Sequence, residues 1–209
     1  GSRAGSMRLL RVASGIGIAV AVAVVVGVLA VRPAEAVPRA DATARPPVVV
    51  VGTAGLRWSD VDTSMPQLWK LAGDAALGSL SVKAADPVSC PDDGWLTLGA
   101  GNRASANDRS GSRCVAAALD VQAANGGQGA VVEGFDAAYR RNVHRDDNTR
   151  LGALAQALNA SGECIAAAGS QAALAAADQR GHVAVYRSDV LAATADPAFL
   201  RQCPVTVVA

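Results

Sequence analysis

From Val12 to Val31 the chain carries no charged residue, and its apolar side chains are spread all round rather than gathered on one face. At 1.5 Å of rise per helical residue, the run covers roughly 30 Å, the thickness of a bilayer's hydrocarbon core. Beyond it the pattern breaks into shorter pieces. Val48-Val49-Val50-Val51 is a continuous apolar run of strand length, which predicts a strand buried on both faces. Ser64-Met65-Pro66-Gln67 has the form of a capping box, and Leu68, Leu71, Ala72 and Ala75 then repeat at helical spacing. Leu80-Ser81-Val82 reads as a second, shorter strand, and the polar stretch from Asn102 to Ser112 as a solvated loop. Phe135 to Val143 predicts a helix. Asn148 can cap another, which carries Leu151, Leu154, Ala155 and Leu158 and ends at Gly162. A strand near Cys164–Ala168, a helix from Gln171 to Asp178, a strand His182–Tyr186 and a helix Pro197–Gln202 follow. The apolar Pro204–Ala209 closes the order as a strand with no turn after it, as in a partial domain. Strands alternating with helices predict an α/β fold, a mostly parallel sheet with helices on both faces. One N-terminal hydrophobic helix precedes it.

The flanks of the first apolar run set a location. Residues 1–6 precede Met7 and stand outside the fold, and Arg8 and Arg11 lie before the run. Basic residues on that side place the amino terminus in the cytoplasm and everything after the run outside. Ala34-Glu35-Ala36 has the form of a signal-peptidase site. The triplet favours removal after Ala36 and secretion. The length of the run exceeds the usual apolar region of a cleaved signal and favours a retained membrane anchor, which is the expectation adopted. Residues 1–36 are then an extension with a signal anchor or signal peptide, 37–46 a linker, and 47–209 an exported α/β domain.

Composition narrows the function classes. A formal net charge of +1 in 209 residues excludes a general basic footprint for nucleic acid. The 51% hydrophobic fraction includes 46 alanines, and 17 of the 19 basic residues are arginine, a bias that GC-rich coding produces. Cys90, Cys114, Cys164 and Cys203 are separated by 24, 50 and 39 residues, spacings that match no zinc ribbon or C-x-x-C redox motif. An even count in an exported chain predicts two disulfides. Three pairings are open, and the sequence-local one, Cys90–Cys114 with Cys164–Cys203, is favoured.

Several motifs, in order, resemble the amino-terminal half of the alkaline phosphatase superfamily over about residues 47–209. The first strand runs into Ala54-Gly55-Leu56-Arg57, where those enzymes carry Asp-Gly-Leu-Arg. Met65-Pro66-Gln67-Leu68-Trp69-Lys70-Leu71-Ala72 is similar to the helix that follows there. Ser89-Cys90-Pro91-Asp92-Asp93 through Gly99-Ala100-Gly101-Asn102-Arg103 occupies the place of the nucleophile segment and its glycine turn. Leu151 to Gly169 resembles a later helix-then-strand unit. The closest likeness is to membrane proteins of actinobacteria. The resemblance implies a strand-end carboxylate holding a divalent metal and a hydroxyl nucleophile. Here Ala54 replaces the carboxylate, Ser89 is the nucleophile candidate, and Asp93 stands where sulfatases carry arginine. The remaining ligands of that superfamily belong to its carboxyl-terminal half, so no complete metal site is expected in this chain. A divalent metal enters only if ligands lie downstream.

Other constellations are weaker. Thr53 and Trp58 follow the first strand, and Asn102 and Arg103 follow the glycine turn, so these four are the candidate ligand-binding residues. Gly99–Arg103 offers backbone N–H groups as an anion cradle. His144-Arg145-Asp146-Asp147 could ligate a metal, but Arg140, Arg141, Arg145 and Arg150 crowd it, which favours a solvated charge cluster. His182 is expected at a surface or sheet edge. These observations point to a non-catalytic, membrane-tethered module that binds a cell-envelope component or a membrane protein. The alternative is a divergent metal-dependent phosphoester or sulfate-ester hydrolase.

Overall fold

A computed structural model of the protein describes residues 46–107, 113–114, 118–124, 127–145 and 147–209. The expected span Val12–Val31, the Ala34–Ala36 triplet, the linker as far as Arg45, the 108–112 part of the polar stretch and Asp146 lie outside the described residues. Among those described, no helix is long and apolar enough to cross a membrane.

The fold is α/β. Val48–Val51 (β1), Ile165–Ala168 (β4), Val185–Arg187 (β6) and Val205–Val208 (β7) form a parallel sheet in the order β1-β7-β4-β6. Asp120–Ala123 (β2), Ala130–Glu133 (β3) and His182–Val183 (β5) form a smaller antiparallel sheet in the order β2-β3-β5. The helices are Pro66–Asp74 (α1), Pro91–Ala100 (α2), Phe135–Val143 (α3), Ala153–Ala160 (α4), Ser170–Ala176 (α5), Val190–Thr194 (α6) and Pro197–Leu200 (α7).

The period-two alternation of the central strands sorts the core into two layers. Ile165, Ala167, Val207 and Tyr186 face α2 and α5, packing with Leu96, Ala100 and Ala172–Ala176. Ala166, Ala168 and Val208 face the other way, toward Ala193 of α6, Phe199 of α7 and Cys203. Small residues let α2 approach α5 very closely. A Cβ placed on Gly99 would stand 2.6 Å from the carbonyl oxygen of Ala175, closer than packed atoms tolerate. Gly99 against Ala175 therefore sets the spacing between these two helices.

Both disulfides are present in the favoured pairing, Cys90–Cys114 with Cα atoms 5.6 Å apart and Cys164–Cys203 with Cα atoms 5.1 Å apart. The second ties the residue before β4 to the segment leading into β7, its neighbour in the sheet.

Several expectations need correction. Among the described residues β1 is an edge strand paired with β7 alone, and Val51 is 70% exposed, so it is not doubly buried. A continuous apolar run specifies extension but not a central position. Ser64 does not cap α1: its N–H donates to Asp62 Oδ1 in a local turn, and Pro66 opens the helix after Met65. Leu80–Val82 is not a strand, and Leu80 is 86% exposed. Asn148 adopts a positive φ of 46°, while Gly152 precedes α4 as its cap residue. The expected strand His182–Tyr186 is two strands, β5 and β6, which belong to different sheets. Residues 104–106 of the expected solvated loop are buried.

Candidate functional site

Trp95 brings α2 against the carboxyl end of β1. Its ring lies so close over Gly52, just past β1, that a Cβ there would meet the ring at 2.1 Å. Gly52 is therefore required for α2 to seat against the end of β1. Along the axis of α2, Ser89 and Asn102 stand roughly 10 Å from this contact in opposite directions. The candidate nucleophile and the candidate ligand-binding pair Asn102–Arg103 thus sit at opposite ends of one helix. Thr53 and the mostly exposed Trp58 lie on the stretch leaving β1.

At the amino end of α2 the side chains of Ser89 and Asp93 have structural work. Ser89 Oγ accepts from the N–H of Ala84 at 2.9 Å and donates to the carbonyl of Val82 at 3.2 Å. Its proton is held by a carbonyl rather than by a base, an arrangement that shapes a turn and does not raise nucleophilicity. Cys90 is the cap residue of α2, and Asp93 reaches back to its N–H at 3.0 Å. The other oxygen of Asp93 accepts from Ala106 N at 2.8 Å. Asp93 is completely buried. It occupies the helix's third position, where a carboxylate can reach back to the cap residue, and it crosses to a second chain segment that the sequence did not announce.

That second segment, Ala104–Ala106, is the polar hub of the molecule. It belongs to no strand, yet each of its backbone groups is satisfied, as burial demands. Thr97 Oγ1 accepts from Ala104 N at 3.1 Å, and the Ala104 carbonyl accepts from Ala85 N at 3.1 Å. Asn142, fully buried on α3, accepts from Ser105 N at 2.9 Å and donates to the Ser105 carbonyl at 2.8 Å. Arg141 donates to the Ala106 carbonyl at 2.7 Å. Ser105 Oγ binds the Asp86 carboxylate, which is itself paired with Arg145 at 3.1 Å. Side chains from α2, α3 and the turn before α2 thereby replace a missing sheet partner.

At the carboxyl end of α2 the polarity is wrong for an anion cradle. Gly99 and Ala100 are the last helical residues, and Gly101 is the left-handed C-cap with φ of 63°. A helix end of this kind presents carbonyls and a partial negative charge. Asn102 is used locally, accepting from Arg103 N at 2.8 Å and donating to the Asp147 carbonyl at 3.3 Å. Arg103 anchors the same corner through its carbonyl, which accepts from Thr149 Oγ1 at 2.7 Å.

A divalent metal at the end of β1, as the superfamily resemblance would imply, requires an anionic oxygen there. Ala54 has no side-chain donor, and Thr53 offers a neutral hydroxyl. The residues present do not fit the ion, and no chemical step is derived through it.

The described residues form a different cavity, of about 500 Å³, against α3. Ala137, Arg140, Arg141, His144 and Arg145 line it together with Ser105 and Asn107. The cluster around His144 is therefore a cationic wall, with Asp147 and Arg150 outside the lining. Its arginines were legible in the sequence, but the cavity was not, because part of its lining comes from the buried hub. Compared with known proteins, the chain matches no family profile, no curated protein and no solved structure.

Proposed function

We propose that the chain is a membrane-tethered, extracytoplasmic module of alkaline-phosphatase-like architecture that binds a cell-envelope component or membrane partner without catalysing a reaction. The observation that carries this reading is the corner at Ser89, Cys90 and Asp93. The positions that would attack and stabilise a phosphoryl or sulfuryl group in that superfamily hold a turn, a disulfide and a buried helix cap instead. Ala54 at the end of β1 adds to it. Two disulfides suit an oxidising compartment outside the cytoplasm. The run Val12–Val31 supplies the tether, with cleavage after Ala36 as the route to a secreted form.

A second line of support is the exposed apolar surface carried by residues 48–82. Val49, Val51, Trp58, Trp69, Leu71 and Leu80 are all exposed, and apolar side chains of this kind supply interaction surfaces where they gather. The test uses residues 37–209, which contain the compact unit Arg45–Ala209 and omit the anchor. This form is expected to sediment with isolated wall and membrane fragments in high salt, and the Trp58→Ser, Leu71→Ser double variant to remain in solution. Wild-type protein that stays in solution, or a double variant that sediments equally, would overturn the reading.

A further inference from the structure

We propose that the cavity on α3 is a binding site for a small phosphate-bearing ligand, an assignment that holds whether or not the module proves catalytic. Ala137, Arg140 and Arg141 lie on one face of α3, and the cap residue His144 continues their i, i+3, i+4, i+7 spacing, with Arg145 next in the chain. Ala137 is small, which leaves room above the helix. The lining also includes Ser105, whose backbone N–H and carbonyl are both held by Asn142. The site is therefore built on fixed chain, as a preorganised site requires.

Charge accounting selects the ligand. Arg145 is committed to Asp86 and to the Ala85 carbonyl. Arg140 pairs with Asp136 one turn earlier, but both side chains are well exposed, so that pair is weak and exchangeable. Arg141 has no carboxylate partner among the described residues. One of its amino groups serves the Ala106 carbonyl, and its buried Nε–H has no hydrogen-bond partner. A partly buried guanidinium without an anion is an incomplete pair, and an oxyanion completes it. With Arg140 released from Asp136, two guanidiniums address the cavity. Arg140 then presents a planar donor pair and Arg141 its second amino group, a donor set that suits a doubly charged phosphate better than a single carboxylate. The cavity is an open groove of about 500 Å³, roomy enough for an organic phosphate as well as the bare ion. Arginines in the last turn of α3 also complement the helix dipole. That role explains their sign, and it accounts for neither the cavity nor the unpartnered Nε–H.

The experiment titrates the full 209-residue chain by calorimetry at low ionic strength with glycerol 3-phosphate and inorganic phosphate. Vesicles of phosphatidylglycerol, compared with phosphatidylcholine, form the second arm. Binding is expected, weakened roughly tenfold or more in Arg140→Gln and in Arg141→Lys, and unchanged in the exposed-site control Arg201→Gln. Arg140→Gln guards against misfolding, because Arg140 holds no buried group. Response to soluble glycerol 3-phosphate assigns a free metabolite, and response only to phosphatidylglycerol vesicles assigns a headgroup. Either result, if lost in both variants, upholds the site. No binding in either arm, or equal loss in Arg201→Gln, overturns it.

Discussion

Residues 46–89 and residues 90–209 carry similar apolar patterns and meet opposite fates. In the first region only Val61 and Ala84 are buried among apolar side chains, while Val51, Trp58, Leu71, Leu77 and Leu80 stand in solvent. In the second, Leu96, Ile165, Val207, Phe135 and Phe199 are almost completely enclosed. The difference lies in partners. β4 and β7 each have a strand on both sides and helices over both faces, so alternation is converted into two packed layers. Among the described residues β1 has one strand neighbour, and its Val49 and Val51 lie on the α6–α7 side, where none of the core residues covers them. Apolar periodicity states what a segment can bury. Topology decides whether anything is there to bury it against.

The comparison breaks most visibly at the Cys164–Cys203 bridge. Replacing both cysteines with alanine is expected to destabilise the packed region by about 4 kcal/mol on the loop-entropy account, read as a lower urea midpoint. A second test lies on the boundary between the regions. Asp93→Ala would strip acceptors from two buried N–H groups, those of Cys90 and Ala106, and is expected to cost about 2–4 kcal/mol in the same assay. The smallest effect is expected in the first region. Leu80→Ser should change stability by less than about 0.5 kcal/mol, as surface substitutions usually do. A loss comparable to that of Asp93→Ala would show that residues 76–82 are packed in solution and would erase the contrast.

Part of the packed region was legible in the sequence, but α2 and α6 were not among the expected elements. Phe135–Val143, Ile165–Ala168, Ser170–Ala176 and Val205–Val208 all carry strong apolar runs or stripes. The hairpin of β2 and β3 was not anticipated, although Asn125-Gly126 between Val121 and Val131 is a hairpin signal that could have found it. The split of His182–Tyr186 between two sheets leaves no trace in a local pattern, because it depends on which strands lie nearby. The polar hub at Ala104–Ala106 was hidden for a related reason. Its partners Asp93, Thr97 and Asn142 look like ordinary surface residues until the fold brings them to one segment. The arginines of α3 were visible as a charge cluster. Their cavity became visible only once Ser105 had been placed beside them.

The reading of this chain turns on whether the corner at Ser89 is structural or chemical, and a single variant addresses it. Full-length wild type and Ser89→Ala are assayed with zinc or manganese against an aryl phosphate and an aryl sulfate, alongside thermal unfolding. The account predicts no metal-dependent turnover by either protein and a stability loss of about 1 kcal/mol in the variant, from the hydrogen bonds to Val82 and Ala84. Turnover by the wild type that Ser89→Ala abolishes would contradict it.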